Sequence, residues 1–276
     1  VPLFVMMTGL LLLPVKKQPL GKFYKKRIYR VLFPFLIWSV LYSMFPWVTG
    51  VLGLPKEIIG DFFCYTQGQE SQSLIDSLKD VAMIPFNFSH KENHMWYIYL
   101  LIGLYLYMPF FSAWIENADR KTKRAFLLIW IISLFIPYLK EYVANCLFER
   151  SGYVFGTDTW NEFGLFYYFA GFNGYLLLGH YVKKGNDWSL MKTLLQKVVI
   201  TNSTVIKVLA NMTQCGFGIY MVHYFVVGPF FLLIGPSSLP IPLQVPLMAI
   251  CIFLCSWAFT ALIYKLMPRK AVWFMG

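Results

Sequence analysis

Apolar residues fall in long blocks along this chain, separated by short polar, basic or turn-forming stretches. Over residues 208–264 there is no Asp, Glu, Lys or Arg. A helix needs about 20 mostly apolar residues to cross the hydrocarbon core of a bilayer, and seven stretches are candidates. Residues 1–14 read as the end of a span. Residues 28–48 and 95–115 follow. Residues 125–139 are few, but Arg124 and Lys140 can snorkel at their ends. Residues 163–182, 215–234 and 243–267 complete the set, the last two joined by the turn cluster Gly235-Pro236-Ser237-Ser238-Leu239-Pro240. The pattern predicts an all-α fold, a polytopic transmembrane helix bundle with seven visible spans. Residues 188–210 read differently. Trp188, Met191, Leu194, Leu195 and Val198 share a helical face while Lys192 and Lys197 sit among polar neighbours, which predicts a helix lying in the membrane interface.

Composition sharpens this picture. Of 276 residues 58% are hydrophobic and only 13% charged, about half the charged share of a soluble domain. That excludes a soluble globular enzyme, a disordered chain and a disulfide-framed secreted module. The lipid bilayer is the first partner implied. A formal charge of +11 would suggest nucleic acid in a soluble protein, but here it marks loops on one side of the membrane, and no nucleic acid is expected. Alternate loops separate cleanly. Segments 15–27, 116–124, 183–207 and 268–276, with Arg30 and Lys265, hold 19 basic and 3 acidic residues; segments 49–94 and 140–162 hold 5 and 10. By the positive-inside rule the first set is cytoplasmic, which puts the C-terminus inside and Val1 outside. A natural first helix usually starts inside, so one more helix is expected ahead of Val1. The opening run has no basic leader and no small-residue cleavage site, so it does not read as a signal peptide. Cys215, Cys251 and Cys255 read as small apolar residues; a disulfide between Cys64 and Cys146 stays open.

Three motifs could carry chemistry. Lys22-Phe23-Tyr24-Lys25-Lys26-Arg27-Ile28-Tyr29-Arg30 has five basic residues in nine positions and no acid. It could be a topology anchor that binds anionic lipid or a phosphate site. Arg27 and Arg30, three apart, share a helix face and suit a diphosphate, and Arg30 stands inside the apolar stretch, where a charge usually has a task. His90-Lys91-Glu92-Asn93-His94-Met95-Trp96-Tyr97 opens the third span. His90 and His94 are four apart, but no third ligand accompanies them and no metal is assigned. His94 could instead serve as a general base or bind substrate, or be an interfacial residue beside the belt aromatics Trp96 and Tyr97. Gly216-Phe217-Gly218-Ile219-Tyr220-Met221-Val222-His223 puts His223 within a span, as a functional group or as a bond between helices. The stretch from Gly171 to His180 offers small residues for close helix packing, with His180 at the interface.

In this order the motifs resemble acyltransferase family 3, bacterial integral membrane O-acyltransferases that modify surface polysaccharides. Residues 1–9 are similar to the family's second span, 26–34 to its cytoplasmic basic motif, 94–106 to its exterior helix entrance and 217–223 to its late-span signature. The resemblance implies one membrane-embedded acyltransferase-like domain over 1–276, in the bacterial cytoplasmic membrane. It would be truncated at the N-terminus and shortened within 183–214, since the family has about ten spans. It implies transfer of an acyl group, acetyl above all, from acyl-CoA to a carbohydrate or lipid-linked glycan hydroxyl, with acyl-CoA as donor and no permanently bound cofactor. Lys26, Arg27 and Arg30 would hold the donor phosphates, Trp96, Tyr97 and Tyr220 would contact substrate, and His94 and His223 would be the catalytic candidates here. The family's main catalytic His lies in the span before the one matched by residues 1–9, so the chain as given is expected to be inactive or impaired. Two alternatives stay open: an exporter of glycan intermediates, for which no internal repeat speaks, and a non-catalytic remnant.

Overall fold

The computed structural model describes residues 1–54, 72–86, 94–146, 154–184, 202–237 and 239–276. Cys64, His90, the side chain of Cys146 and residues 188–201 of the expected interfacial helix lie outside the described residues. Among the described residues every regular element is a helix. In chain order these are α1 (Pro2–Leu12), α2 (Leu20–Val51), α3 (Leu74–Met83), α4 (Trp96–Asn117), α5 (Arg120–Leu134), α6 (Ile136–Cys146), α7 (Asn173–Lys184), α8 (Ser203–Ile234), α9 (Ile241–Leu266) and α10 (Ala271–Met275), with a short 3₁₀ turn at Gly164–Phe166.

Among the described residues five stretches are long and apolar enough to cross a membrane: Leu20–Val51, Trp96–Asn117, Arg120–Val143, Ser203–Ile234 and Ile241–Leu266. This is a multi-pass membrane protein. Pro2–Leu12 is apolar but short. The expected span over 163–182 is corrected: only Asn173–Lys184 is α-helical there. Ahead of it Gly164 and Gly171 take positive φ of 53° and 93°, and Asn161 closes a tight loop by donating from Nδ2 to the Gly164 carbonyl at 3.0 Å. A helix cannot pass through left-handed glycines. The expected span over 125–139 reaches Val143 but loosens at Phe135, whose N–H reaches Ile132; Pro137 has no N–H for the next helical bond. Residues 203–210, read with the interfacial stretch, instead form the first turns of α8, where Asn202 accepts from Thr204 N–H and caps the helix. The basic motif is likewise helical, lying on the first three turns of α2. At 32 residues α2 and α8 measure about 48 Å, beyond the roughly 30 Å hydrocarbon core, so their ends reach past it.

The chain forms two compact units whose boundaries fall within α2 and α4. The first comprises Val1–Phe23 and Leu101–Val199. Its centre is the α1–α7 pair. A side chain at Gly9 would strike the backbone of Leu176, and one at Gly179 the backbone of Met6, so two glycines let the helices touch backbone to backbone. Trp130 covers Gly174 and donates from its indole to the Gly171 carbonyl at 2.9 Å. His180 is buried, not interfacial, with Nδ1 at 3.2 Å from the Leu13 carbonyl.

The second unit comprises Tyr24–Leu100 and Ile200–Gly276. Here α8 and α9 form a hairpin. The amide of Gln244 donates to the carbonyls of Ile234 and Gly235 at 2.8 and 2.9 Å and so satisfies groups orphaned at the end of α8. At the other end of the hairpin the Trp257 indole donates to Asn211 Oδ1 at 2.8 Å. Against it lies α2, its Tyr42 hydroxyl donating to the Met221 carbonyl at 2.8 Å. The last turn, α10, folds back. Trp38 donates to the Phe274 carbonyl at 2.8 Å, and Met275 is buried beside Gly218.

Candidate functional site

The second unit holds two groupings of polar residues. One surrounds His94. The ring of Tyr224 stacks on it with centroids 4.8 Å apart, while Tyr42 at 5.3 Å and Tyr220 at 5.7 Å meet it edge-on. His223 lies 5.2 Å away, ring centre to ring centre, nearly perpendicular. The sequence separates these residues by up to 182 positions; the fold joins them because α2 and α8 pack where α4 begins. Tyr220 donates to the backbone carbonyl of His94, and Tyr42 is fixed by Met221 and by Phe225, stacked on it at 4.1 Å.

The two histidines differ. His223 Nδ1 lies 2.6 Å from the Tyr220 carbonyl. A carbonyl only accepts, so Nδ1 carries the proton and Nε2 presents the lone pair. Neither ring nitrogen of His94 has a partner among the described residues, although both are buried. Burial first, and then the nearby His223, hold its pKa at about 3, so His94 is neutral at neutral pH. Of the two, His223 is the one whose ring is oriented by a hydrogen bond, with Nε2 as its open acceptor. An unpartnered buried imidazole costs free energy unless something else completes it; a substrate group would.

The other grouping is a basic end. Lys25, Lys26, Arg27 and Arg30 stand at the start of α2, Lys207 at the start of α8, Lys265 at the end of α9, and Arg269 and Lys270 just beyond. Arg30 donates to the Gly276 carbonyl at 3.3 Å, and Tyr264 of α9 donates to the same oxygen at 3.3 Å, so α2, α9 and the chain's last turn meet there. Lys26 and Arg30 are exposed and Arg27 half-buried. No carboxylate side chain occurs in α2, α8, α9 or α10.

The fold thus brings His94, His223, Tyr97 and Tyr220 together, with Tyr97 buried and its ring 5.7 Å from Tyr220. Trp96 lies one step outside, 39% exposed and edge-on to Tyr97. Lys26, Arg27 and Arg30 form the separate basic end. Sequence reasoning missed Tyr42, Tyr224 and Phe225. A tyrosine hydroxyl within an apolar span must find a partner, and that signal could have marked Tyr42. Nothing local marks the Gly276 carbonyl as an acceptor for Arg30.

A family model described as an acyltransferase domain matches residues 1–200. No curated protein and no solved structure matches the chain.

Proposed function

The chain belongs to acyltransferase family 3, and we propose that this membrane acyltransferase moves an acyl group, acetyl in the simplest case, from acyl-CoA to a hydroxyl of a cell-surface carbohydrate or lipid-linked glycan. The reading includes the bacterial cytoplasmic membrane and a cytoplasmic C-terminus, supported by the distribution of loop charge. One observation carries it furthest. Arg30 and Tyr42 stand twelve residues apart on α2, roughly 18 Å, and Tyr42 packs on His94. A donor with a phosphate-bearing head and a long arm ending in a thioester has that reach.

In this mechanism Arg27 and Arg30, assisted by Lys26, hold the donor phosphates. The acceptor hydroxyl oxygen attacks the thioester carbonyl carbon; a C–O bond forms and the C–S bond breaks. His223 Nε2 takes the hydroxyl proton, and the Tyr220 carbonyl steadies the resulting imidazolium. The same proton then goes to the departing sulfur, which leaves as the thiol of CoA. Neutral His94 donates its N–H to the carbonyl oxygen as negative charge builds there. Trp96, 39% exposed, offers an aromatic face to a sugar ring, and the buried Tyr97 braces it edge-on.

The test uses full-length protein in proteoliposomes with acetyl-CoA and the host's surface polysaccharide, following CoA release and alkali-labile ester together. His223→Ala lowers kcat by about 10²- to 10⁴-fold, the range of a lost general base. Arg27→Ala with Arg30→Ala raises the KM for donor and weakens CoA binding with little change in kcat. Unchanged ester formation in the His223 variant refutes the base assignment, and unchanged CoA affinity in the arginine variant refutes the phosphate role.

A further inference from the structure

The first unit holds an irregular stretch at a depth where membrane proteins seldom leave one. Its anchor points are fixed. α7 has 12 residues, about 18 Å, well short of the roughly 30 Å hydrocarbon core. The far end of α7 meets the start of α5, where Arg124 donates to the Tyr181 hydroxyl at 2.6 Å. Just before its first turn, the Gly171 carbonyl accepts from the Trp130 indole, about 15 Å along α5 from Arg120. Phe169 lies 5.3 Å from Phe126, ring centre to ring centre. Residues 154–172 therefore approach α7 inside the Arg120–Val143 span, and they are not α-helical. Such backbone at that depth is tolerated only against protein or water.

The side chains decide between the two. Trp160, Tyr167 and Tyr168 are 75%, 50% and 85% exposed, and Glu162 is exposed as well. A carboxylate and open backbone have no place in hydrocarbon, so this surface faces water. It is also braced. Buried Asn161 donates from Nδ2 to the Gly164 carbonyl at 3.0 Å and accepts from Phe163 N–H at 3.2 Å. Buried Thr157 accepts from Val154 N–H at 3.0 Å. The rings have set orientations: the Trp160 indole donates to Asp158 Oδ2 at 3.0 Å, and Tyr167 stands edge-on to Trp160 at 6.4 Å and to Tyr168 at 5.5 Å. Residues 154–182 include Asp158 and Glu162 but no Lys or Arg. Braced rings open to water, with carboxylates that only accept hydrogen bonds, suit a ligand with flat C–H faces and many hydroxyl donors. With no cation among them they disfavour a phosphate-bearing one.

We propose that Trp160, Tyr167 and Tyr168 form a docking platform for an uncharged segment of a carbohydrate chain, the rings stacking on sugar faces and Glu162 accepting sugar hydroxyls. Trp and Tyr give large, rigid contact area at small entropic cost. The proposal deepens the acyltransferase reading, on which it rests for the carbohydrate nature of the acceptor: the platform holds a polymeric acceptor by sugars other than the one that reacts.

The experiment titrates full-length protein in lipid nanodiscs, with no donor present, with neutral oligosaccharides released from the host's surface polysaccharide, and reads the heat of binding. The parent binds them. Trp160→Ala with Tyr168→Ala weakens binding at least about tenfold, the scale on which truncated aromatic anchors register. Trp160→Tyr, which keeps a ring, retains most of the affinity. Glu162→Cys reacts with a charged thiol reagent that cannot enter lipid, the parent serving as blank, and bound oligosaccharide slows that reaction. These substitutions fall on exposed side chains, and helical circular dichroism checks that each variant is folded. No binding by the parent, or equal binding by the double alanine variant, overturns the proposal. So does an unreactive Glu162→Cys; quenching of Trp160 fluorescence by brominated lipid would then make the loop a membrane anchor. Ester formation is followed separately. Oligosaccharide binding without acyl transfer supports the platform and refutes the enzymatic reading. Acyl transfer to polysaccharide with an unchanged acceptor KM in the double alanine variant refutes the platform alone.

Discussion

A histidine held neutral by its surroundings leaves a signature in how stability varies with pH. His94 is depressed from 6.5 to about 3 in the folded chain. Above pH 6.5 both folded and unfolded states are neutral there, and the residue contributes no slope. As pH falls below 6.5 the unfolded state binds a proton that the folded state refuses, so stability declines progressively toward pH 3. Melting temperatures of purified protein between about pH 7 and pH 4 should therefore fall less steeply for His94→Gln than for the parent; equal slopes would place the acid-sensitive group elsewhere. Tyr42 sits on the other face of the same cluster. Tyr42→Phe keeps the stack on Phe225 but removes the bond to Met221, a loss of about 0.5–1 kcal/mol for a polar contact between membrane helices. The sequence pointed to His94, His223 and Tyr220 because each is a polar residue in or beside an apolar run. It could not pair them, since packing of α2 and α8 against the start of α4 depends on contacts 52 to 182 residues apart in sequence.

Among elements, the α1–α7 pair has the least room for change. Gly179→Val drives a branched side chain into the backbone of Met6 and should cost about 1–3 kcal/mol through overpacking, read as a lower melting temperature; Gly103→Ala, with open space around it, is the matched control. The element scale also shows what hydropathy could reveal. Long uncharged runs marked α2, α4, α8 and α9 correctly, with α2 and α8 underestimated because their ends are polar. Residues 163–182 misled because they have the hydrophobicity of a span without its backbone. Average polarity does not register two glycines at positive φ, Gly164 and Gly171, or the side-chain bonds of Asn161 that close the loop before them.

At the scale of the whole molecule, the last turn acts as a keystone for the second unit. Residues 271–276 supply the carbonyls that receive Trp38, Arg30 and Tyr264 and the Met275 side chain beside Gly218. A chain stopped after Lys270 should melt several degrees lower while α8 and α9, clipped by Gln244 at their far end, keep their helicity by circular dichroism. The sequence announced this region only as a charged loop. The lack of carboxylates on α2, α8, α9 and α10 has one more consequence. With no acidic side chain from those helices beside it, the basic end draws anions from solution and works as a small anion exchanger. A polyanionic donor arrives by displacing ions already resident, so its affinity should drop steeply with added salt, whereas an uncharged thioester fragment bearing the same acyl group should bind almost equally well, if weakly, at every ionic strength.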